Sequence, residues 1–169
     1  QEERDNAKKE TVMNIPIESI SDFPNHPFKV IDNEEMNNLI ESVSQKGVIL
    51  PTIVRQKEDG NYEMISGHRR KHAASKAGLK EIPCIIKNLT DDEATILIVE
   101  SNYQRLQILP SEKAFAYRMR YEAMRRKTGR PSKNSSQIET NLRADEALAE
   151  QVGESRAQVQ RFIRLTEVI

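Results

Sequence analysis

Residues 145–168 read DEALAEQVGESRAQVQRFIRLTEV, and this stretch decides the fold of the C-terminal half. Its apolar side chains recur at helical spacing in two runs: Ala147, Leu148 and Val152, then Val159, Phe162 and Ile163. Between the runs, Gly153 favours a left-handed turn, and Ser155 is placed to cap a second helix. The stretch therefore predicts two short amphipathic helices joined by a tight turn, which is the pattern of a helix-turn-helix.

Long polar side chains remain for the outer face of the second helix. They are Arg156, Gln158, Gln160, Arg161 and Arg164. Arginine and glutamine are the side chains that hydrogen-bond guanine and adenine edges in the major groove of DNA. The motif predicts DNA as a partner, and the alternative is a helical hairpin with a solvated polar face.

The charge of the chain is segregated, although the whole sequence is neutral. Between residues 101 and 133, nine basic side chains stand against two acidic ones, so this segment carries +7 and the remainder carries −7. The nine are Arg105, Lys113, Arg118, Arg120, Arg125, Arg126, Lys127, Arg130 and Lys133. A basic stripe can follow a phosphate backbone, and we assign phosphate contacts to Arg118, Arg125, Arg126 and Arg130. A solvated helix face is the alternative.

The preceding half alternates helices and strands. Apolar periodicity and turn residues predict a helix over 34–46, strands over 48–56 and 62–66, a helix over 68–77, a strand over 82–88, and helices over 90–105 and 111–127. We expect a disordered arm over 1–14, a mixed α/β lobe over 15–98 and a helical domain over 99–169. The predicted fold class is α+β.

Composition excludes several classes of protein. The longest aliphatic run, Ile96 to Val99, is too short to cross a bilayer, and the N-terminus lacks the apolar stretch of a signal peptide. We therefore expect a cytoplasmic protein without a membrane partner. Cys84 is the single cysteine and lies in an apolar run, so we expect a buried thiol rather than a disulfide or a thiolate metal site.

A second candidate site lies at Ser66-Gly67-His68-Arg69-Arg70-Lys71-His72, where a strand ends and a helix begins. A glycine allows close approach of the backbone, a helix N-terminus offers free N–H groups, and two arginines can hold phosphate oxygens. The segment indicates an anion site, with a basic surface turn as the alternative.

Three motifs in order resemble the ParB/RepB family of bacterial partition and nucleoid-organising proteins, from Ile15 to Ile169. The first is residues 40–51, IESVSQKGVILP, and the second is residues 67–78, GHRRKHAASKAG, which looks like the family's Gly-Glu-Arg-Arg box. The third is Asn102-Tyr103-Gln104-Arg105 followed by Pro110 and Glu112, which resembles the family's Glu-Asn-x-Gln-Arg motif.

The resemblance implies a ParB/sulfiredoxin-like N-terminal lobe that binds CTP with Mg²⁺, and a helical domain that recognises a palindromic centromere-like DNA site. Gly67, Arg69 and Arg70 would hold the triphosphate, with Ser66, His68 and Asn102 beside it. Asn102, and a displaced Glu100, would lie near the metal. The family also implies a sliding clamp and a ParA-like ATPase partner. Because its members continue into a dimerisation domain, we expect a homodimer formed through a C-terminal region absent from this chain.

Two departures from the family pattern bear on catalysis. His68 and Ser101 stand where the family has glutamates, and Glu100 is displaced by about 100° around a helix. We therefore expect CTP to bind but to be hydrolysed weakly or not at all. Two other interpretations stay open: an enzyme on the same fold, such as a free-serine kinase, and a transcriptional repressor without a nucleotide switch. A sulfiredoxin is excluded, because its nucleophilic cysteine is missing from this motif.

Overall fold

The computed structural model describes residues 10–102, 108–127 and 137–168, with residues 137–143 described as helical backbone. The chain divides into two compact units. The first comprises the chain up to Pro24 and Val30–Asn88, and the second comprises Asn25–Lys29 and the chain from Leu89 onward.

Within the described residues, the first unit is a five-stranded mixed sheet with two α-helices and a short 3₁₀ helix, Ile17–Ser19. Its elements are β1 (Val12–Pro16), β2 (Ile20–Ser21), α1 (Glu34–Lys46), β3 (Thr52–Gln56), β4 (Tyr62–Ser66), α2 (His68–Lys76) and β5 (Glu81–Ile86). The strand order is β1-β5-β3-β4-β2. The β1–β5 and β3–β4 pairs are antiparallel, and the β3–β5 and β2–β4 pairs are parallel. The predicted mixed lobe is thus confirmed.

Local signals set the ends of α1, and its buried face joins the core of the sheet. The Asn33 side chain accepts a hydrogen bond from the Met36 amide, and Gly47 ends the helix at φ +71°. Met36 and Val43 are buried with Val54 and other residues of the strands. Burying each such side chain stabilises the fold by about 1.5–3 kcal/mol. The prediction of a buried thiol is also confirmed, since Cys84 is fully buried in this core.

The second unit contains four helices within the described ranges: α3 (Asp91–Asn102), α4 (Pro110–Lys127), α5 (Gln137–Val152) and α6 (Arg156–Leu165). Thr90 and Glu93 exchange hydrogen bonds between side chain and backbone at the start of α3 and so form a capping box. Leu148 of α5 and Val159 of α6 pack with Tyr117 of α4 in one apolar cluster. None of the helices described is long and apolar enough to cross a bilayer.

Several boundaries differ from those predicted. The predicted lobe ends after residue 98, whereas α3 belongs to the second unit because Val99 packs with Ala116 of α4 and with Phe28. The strand predicted from residue 48 begins at Thr52, since the carbonyls of Leu50 and Pro51 accept hydrogen bonds from Arg70 instead of from a strand. The arm predicted over 1–14 is wrong at its end, where β1 begins at Val12, and residues 1–9 lie outside the described residues.

Candidate anion and nucleic-acid sites

The turn between β4 and α2 requires a glycine for packing as well as for conformation. Gly67 has φ +112°, and a Cβ atom there would lie 2.5 Å from Cγ2 of Thr52. The backbone is therefore pressed against β3, and α2 begins immediately afterwards at His68. The amides of the first helical turn point out of the helix N-terminus, where the helix dipole favours an anion.

Arg70 is anchored to the loop before β3. Its Nη1 donates hydrogen bonds to the carbonyls of Leu50, at 2.9 Å, and Pro51, at 2.8 Å. Burial lowers the pKa of Arg70, although a guanidinium stays charged at neutral pH. Arg70 therefore has a structural role that the sequence did not reveal, in addition to its predicted role toward phosphate.

Arg69 is held much less firmly. Its side chain is 37% exposed, and Nη2 lies 3.5 Å from Oε2 of Glu35, whose side chain is 73% exposed. Such a surface ion pair contributes little, so an anionic ligand can replace Glu35 at low cost.

A cavity of about 260 Å³ adjoins α2, and His68, Lys71 and His72 contribute to its lining. Acidic side chains balance two of these groups: Lys71 Nζ lies 2.8 Å from Asp22 Oδ1, and His72 Nε2 lies 2.7 Å from Asp32 Oδ1. The hydrogen bond from His72 is the main cause that lowers the pKa of Asp32. The cavity thus lies along the face of α2 that carries His68, Lys71 and His72, and Arg69 and Arg70 are not among the described residues that line it.

The C-terminal end of α3 carries the residues predicted near a metal. Glu100 Oε1 accepts a hydrogen bond from Arg120 Nη2 at 2.7 Å, and Asn102 Nδ2 donates to the Ile98 carbonyl at 2.7 Å. Asn102 thus directs its amide nitrogen to the helix, whereas the Glu100 carboxylate is already balanced by a cation. Across the residues described, no group of three or more His, Cys, Asp or Glu side chains could hold a metal ion. These two residues therefore do not fit Mg²⁺ as a ligand set of their own.

Arg120 corrects the interpretation of the basic stripe. Its side chain is 1% exposed and hydrogen-bonds both Glu100 and Gln151, so it cannot contact a DNA phosphate in this structure. The sequence contained a sign of this, because Arg120 follows Ala116 and Tyr117 at helical spacing on the buried face of α4.

The other stripe residues that the structure describes lie toward the surface of the second unit, and several contact acidic groups. Arg126 Nε is 2.8 Å from Asp92 Oδ1, and Lys127 Nζ is 3.6 Å from Glu93 Oε1. Arg118 contacts Glu122 and Thr166, while Arg125 lies over the ring of Tyr121. Arg105, Arg130 and Lys133 lie outside the described residues.

The two helices and the turn predicted over 145–168 are present. Gly153 has φ +66°, and Ser155 and Gln158 form a reciprocal capping box at the start of α6. Gln158 therefore has a local structural role besides the base contact predicted for it. Arg161 and Arg164 are exposed.

Asp145 of α5 was missed by the sequence analysis. Asp145 is 5% exposed, and its Oδ2 accepts a hydrogen bond from Gln160 Nε2 at 2.7 Å. The same oxygen lies 3.6 Å from Arg156 Nε. Burial, and then the Asp145 carboxylate, raise the pKa of Tyr121. The missed indication was spacing, because Asp145 precedes Leu148, Ala149 and Val152 on the inner stripe of α5.

The first unit is thus a mixed α/β sheet domain in which α2 begins directly after Gly67 and carries Arg69 and Arg70 in its first turn, and the second unit is helical. Residues 1–103 match the ParB N-terminal domain, and the chain belongs to this family. The predicted family is thus confirmed.

Relatives with known names are similar over nearly the whole chain. The chromosome-partitioning protein Spo0J of Thermus thermophilus is 34% identical over 157 residues, which are 93% of this chain and 51% of Spo0J. A nucleoid occlusion protein of Geobacillus sp. is 32% identical over 168 residues, which are 99% of this chain and 54% of the relative. The chain spans about half the length of these relatives.

Solved structures are similar as well. A C-terminally truncated ParB from Caulobacter crescentus in complex with CTP-gamma-S is 28% identical, with a TM-score of 0.52, and the match covers 93% of this chain and 79% of the ParB chain. ParB from the same organism complexed to the centromeric parS site is 27% identical, with a TM-score of 0.58 and coverages of 91% and 71%.

Proposed function

We propose that this chain is a DNA-binding partition or nucleoid-organising protein that binds a palindromic centromere-like duplex and CTP. The observation that carries the proposal is the start of α2, where Gly67 is pressed against Thr52 and two arginines follow on the first helical turn. The ParB structures with CTP-gamma-S and with parS support both ligands by similarity.

The nucleotide part rests on charge and backbone geometry in the first unit. The amides at the start of α2 and the exposed Arg69 would hold phosphate oxygens, and Arg70 would fix the loop against them while adding its own charge. The cavity beside His68 offers space for the rest of a nucleotide. Asn102 and Mg²⁺ stay proposals from family resemblance alone.

The DNA part rests on α5 and α6 acting as a helix-turn-helix. Arg161 and Arg164 are exposed on α6, and Arg156 stands at its start with a half-buried side chain. Arg118, Arg125 and Arg126 would add phosphate contacts that are independent of sequence. A homodimer, a sliding clamp and a ParA-like ATPase partner remain family-based proposals, as does a location in the cytoplasm at the nucleoid or a plasmid.

Calorimetric titration tests the proposal. The chain is titrated with CTP, ATP and GTP, each with and without a palindromic duplex selected by the wild-type chain from a randomised pool. We expect CTP to bind most tightly and the selected duplex to bind more tightly than random DNA. Selective duplex binding without any nucleotide binding would instead identify a plain repressor.

The enzyme alternative predicts phosphate transfer to serine, measured as phosphoserine formed from ATP, and such a product would contradict the proposal. Sulfiredoxin-like chemistry is further disfavoured by Cys84, because its burial raises the thiol pKa and so reduces the nucleophilic thiolate.

A further inference from the structure

A buried carboxylate on α5 faces the first turn and the middle of α6. Asp145 has 7% of its side chain exposed, and its Oδ2 is shared between Gln160 Nε2 and Arg156 Nε. A carboxylate at this depth requires polar partners, because an unpartnered buried charge is strongly unfavourable. The partners here come from the helix that carries the predicted base contacts.

The contact engages only one end of the Arg156 guanidinium. Nε is buried and lies 3.6 Å from Asp145 Oδ2 as an ion pair without a hydrogen bond, whereas 39% of the Arg156 side chain remains exposed. A guanidinium is a planar fork, so an ion pair on its Nε side draws the side chain toward Asp145 without occupying Nη1 and Nη2. Two parallel N–H groups held in one plane match the O6 and N7 acceptors of guanine.

Holding the side chain in advance also reduces the entropy lost on binding. A free arginine side chain loses rotamer entropy when it is fixed. Asp145 removes part of that loss before DNA arrives, and Gln160 ties the same carboxylate to a second point on α6.

We propose that Asp145 is a positioning residue for base recognition, which orients Arg156 to bind a guanine in the major groove. The inference rests on the proposed DNA-binding function and deepens it. Asp145 itself carries a negative charge that repels phosphates. It should therefore increase specificity for the cognate duplex while it decreases affinity for DNA in general. A residue that only stabilised the fold would not separate the two.

The experiment measures binding of the whole chain to the duplex selected by the wild type, to every single base-pair variant of it, and to random DNA. The variants are Asp145→Asn, Arg156→Ala and the double variant. Glu146→Gln is the matched control, because Glu146 is the exposed neighbour on α5 and this change removes the same charge. Circular dichroism and thermal unfolding check the fold of each.

We expect Asp145→Asn to reduce the ratio of cognate to random affinity about tenfold, within the range of one bidentate base contact. Its random-DNA affinity should rise or stay level, as in Glu146→Gln. Asp145→Asn and Arg156→Ala should lose discrimination at the same guanine position, and the double variant should lose no more than Arg156→Ala.

The inference would be overturned, with DNA binding left intact, if Asp145→Asn discriminated among the single base-pair variants as the wild type does. It would also be overturned if Asp145→Asn lost discrimination at positions that Arg156→Ala does not affect. Failure of the wild type to prefer any duplex would overturn the proposed function itself, and the inference with it. If Asp145→Asn folds poorly, Asp145→Glu keeps the charge, displaces the carboxylate and is judged by the same profile.

Discussion

Arg69 and Arg70 are adjacent in sequence but differ in what holds them, and this difference separates binding from stability. Arg69→Ala removes an exposed guanidinium with one weak pair to Glu35. We expect CTP affinity to fall about tenfold or more, with unfolding unchanged, because a charge-assisted phosphate contact contributes about 1.5–3 kcal/mol. Glu35→Gln is the control and should not weaken CTP binding in the same titration.

Arg70→Ala should weaken CTP binding and also lower the unfolding temperature, since it releases the Leu50 and Pro51 carbonyls. Unchanged CTP affinity in both arginine variants would make this segment a structural turn only.

Gly67→Ala is expected to destabilise the fold by about 1–3 kcal/mol, measured by urea unfolding. One part of this destabilisation comes from the backbone, because φ is +112° at this position. The other part comes from the new Cβ atom, which would lie 2.5 Å from Thr52 Cγ2. Thr52→Ser removes Cγ2 but leaves Cβ at 2.9 Å, so the double variant should recover only some of the steric cost and retain the backbone cost. A double variant as unstable as the sum of both single changes would show that the approach to Thr52 is not the source of strain.

The residues at the family's glutamate positions predict weak CTP turnover. His68 and Ser101 carry no carboxylate, and Glu100 is paired with Arg120. Loss of positioned charged groups typically costs two or more orders of magnitude in rate. We expect phosphate release near background, with partial recovery in the His68→Glu, Ser101→Glu double variant. Rapid wild-type turnover that Glu100→Ala abolishes would contradict this and assign the missing role to Glu100.

At the scale of elements, ion pairs join the start of α3 to the end of α4. Asp92 and Glu93 pair with Arg126 and Lys127, which DNA phosphates would otherwise bind. We expect Asp92→Asn to raise affinity for random DNA a few-fold at low salt and to have no effect at high salt, measured by fluorescence anisotropy. Glu81→Gln, an equal change of charge on β5, is the control. An equal rise in both variants would attribute the effect to net charge alone.

Sequence predicted those elements whose ends are set locally, and failed where distant contacts decide. Gly153 and Ser155 mark the turn before α6 by their own conformational preferences, so that turn was predictable. The inclusion of Asn25–Lys29 in the second unit was not, because it depends on Phe28 packing with Val99 and Ala116. Counting charges placed Arg120 on a surface stripe, although its spacing among apolar residues of α4 indicated burial. Asp145 was missed because the inner face of α5 was derived from apolar side chains alone.

At the scale of the whole molecule, each unit has its own apolar core, and this predicts separate responses to core substitutions. Met64 lies in the core of the sheet and Leu148 in the core of the helices, and both are fully buried. Replacing either residue by alanine should lower the free energy of unfolding of its unit by about 2–5 kcal/mol, because apolar burial is lost and a cavity is left behind. We expect calorimetry to show two transitions, with Met64→Ala lowering the temperature of one and Leu148→Ala lowering the temperature of the other.

DNA should then stabilise only one of the two units. At 100 times its Kd, the selected duplex should raise the free energy of unfolding of the unit that contains Leu148 by about 2.7 kcal/mol, because only residues of that unit are assigned to DNA. A single transition that both substitutions and the duplex shift together would show that the two cores unfold as one cooperative unit, and would contradict their independence.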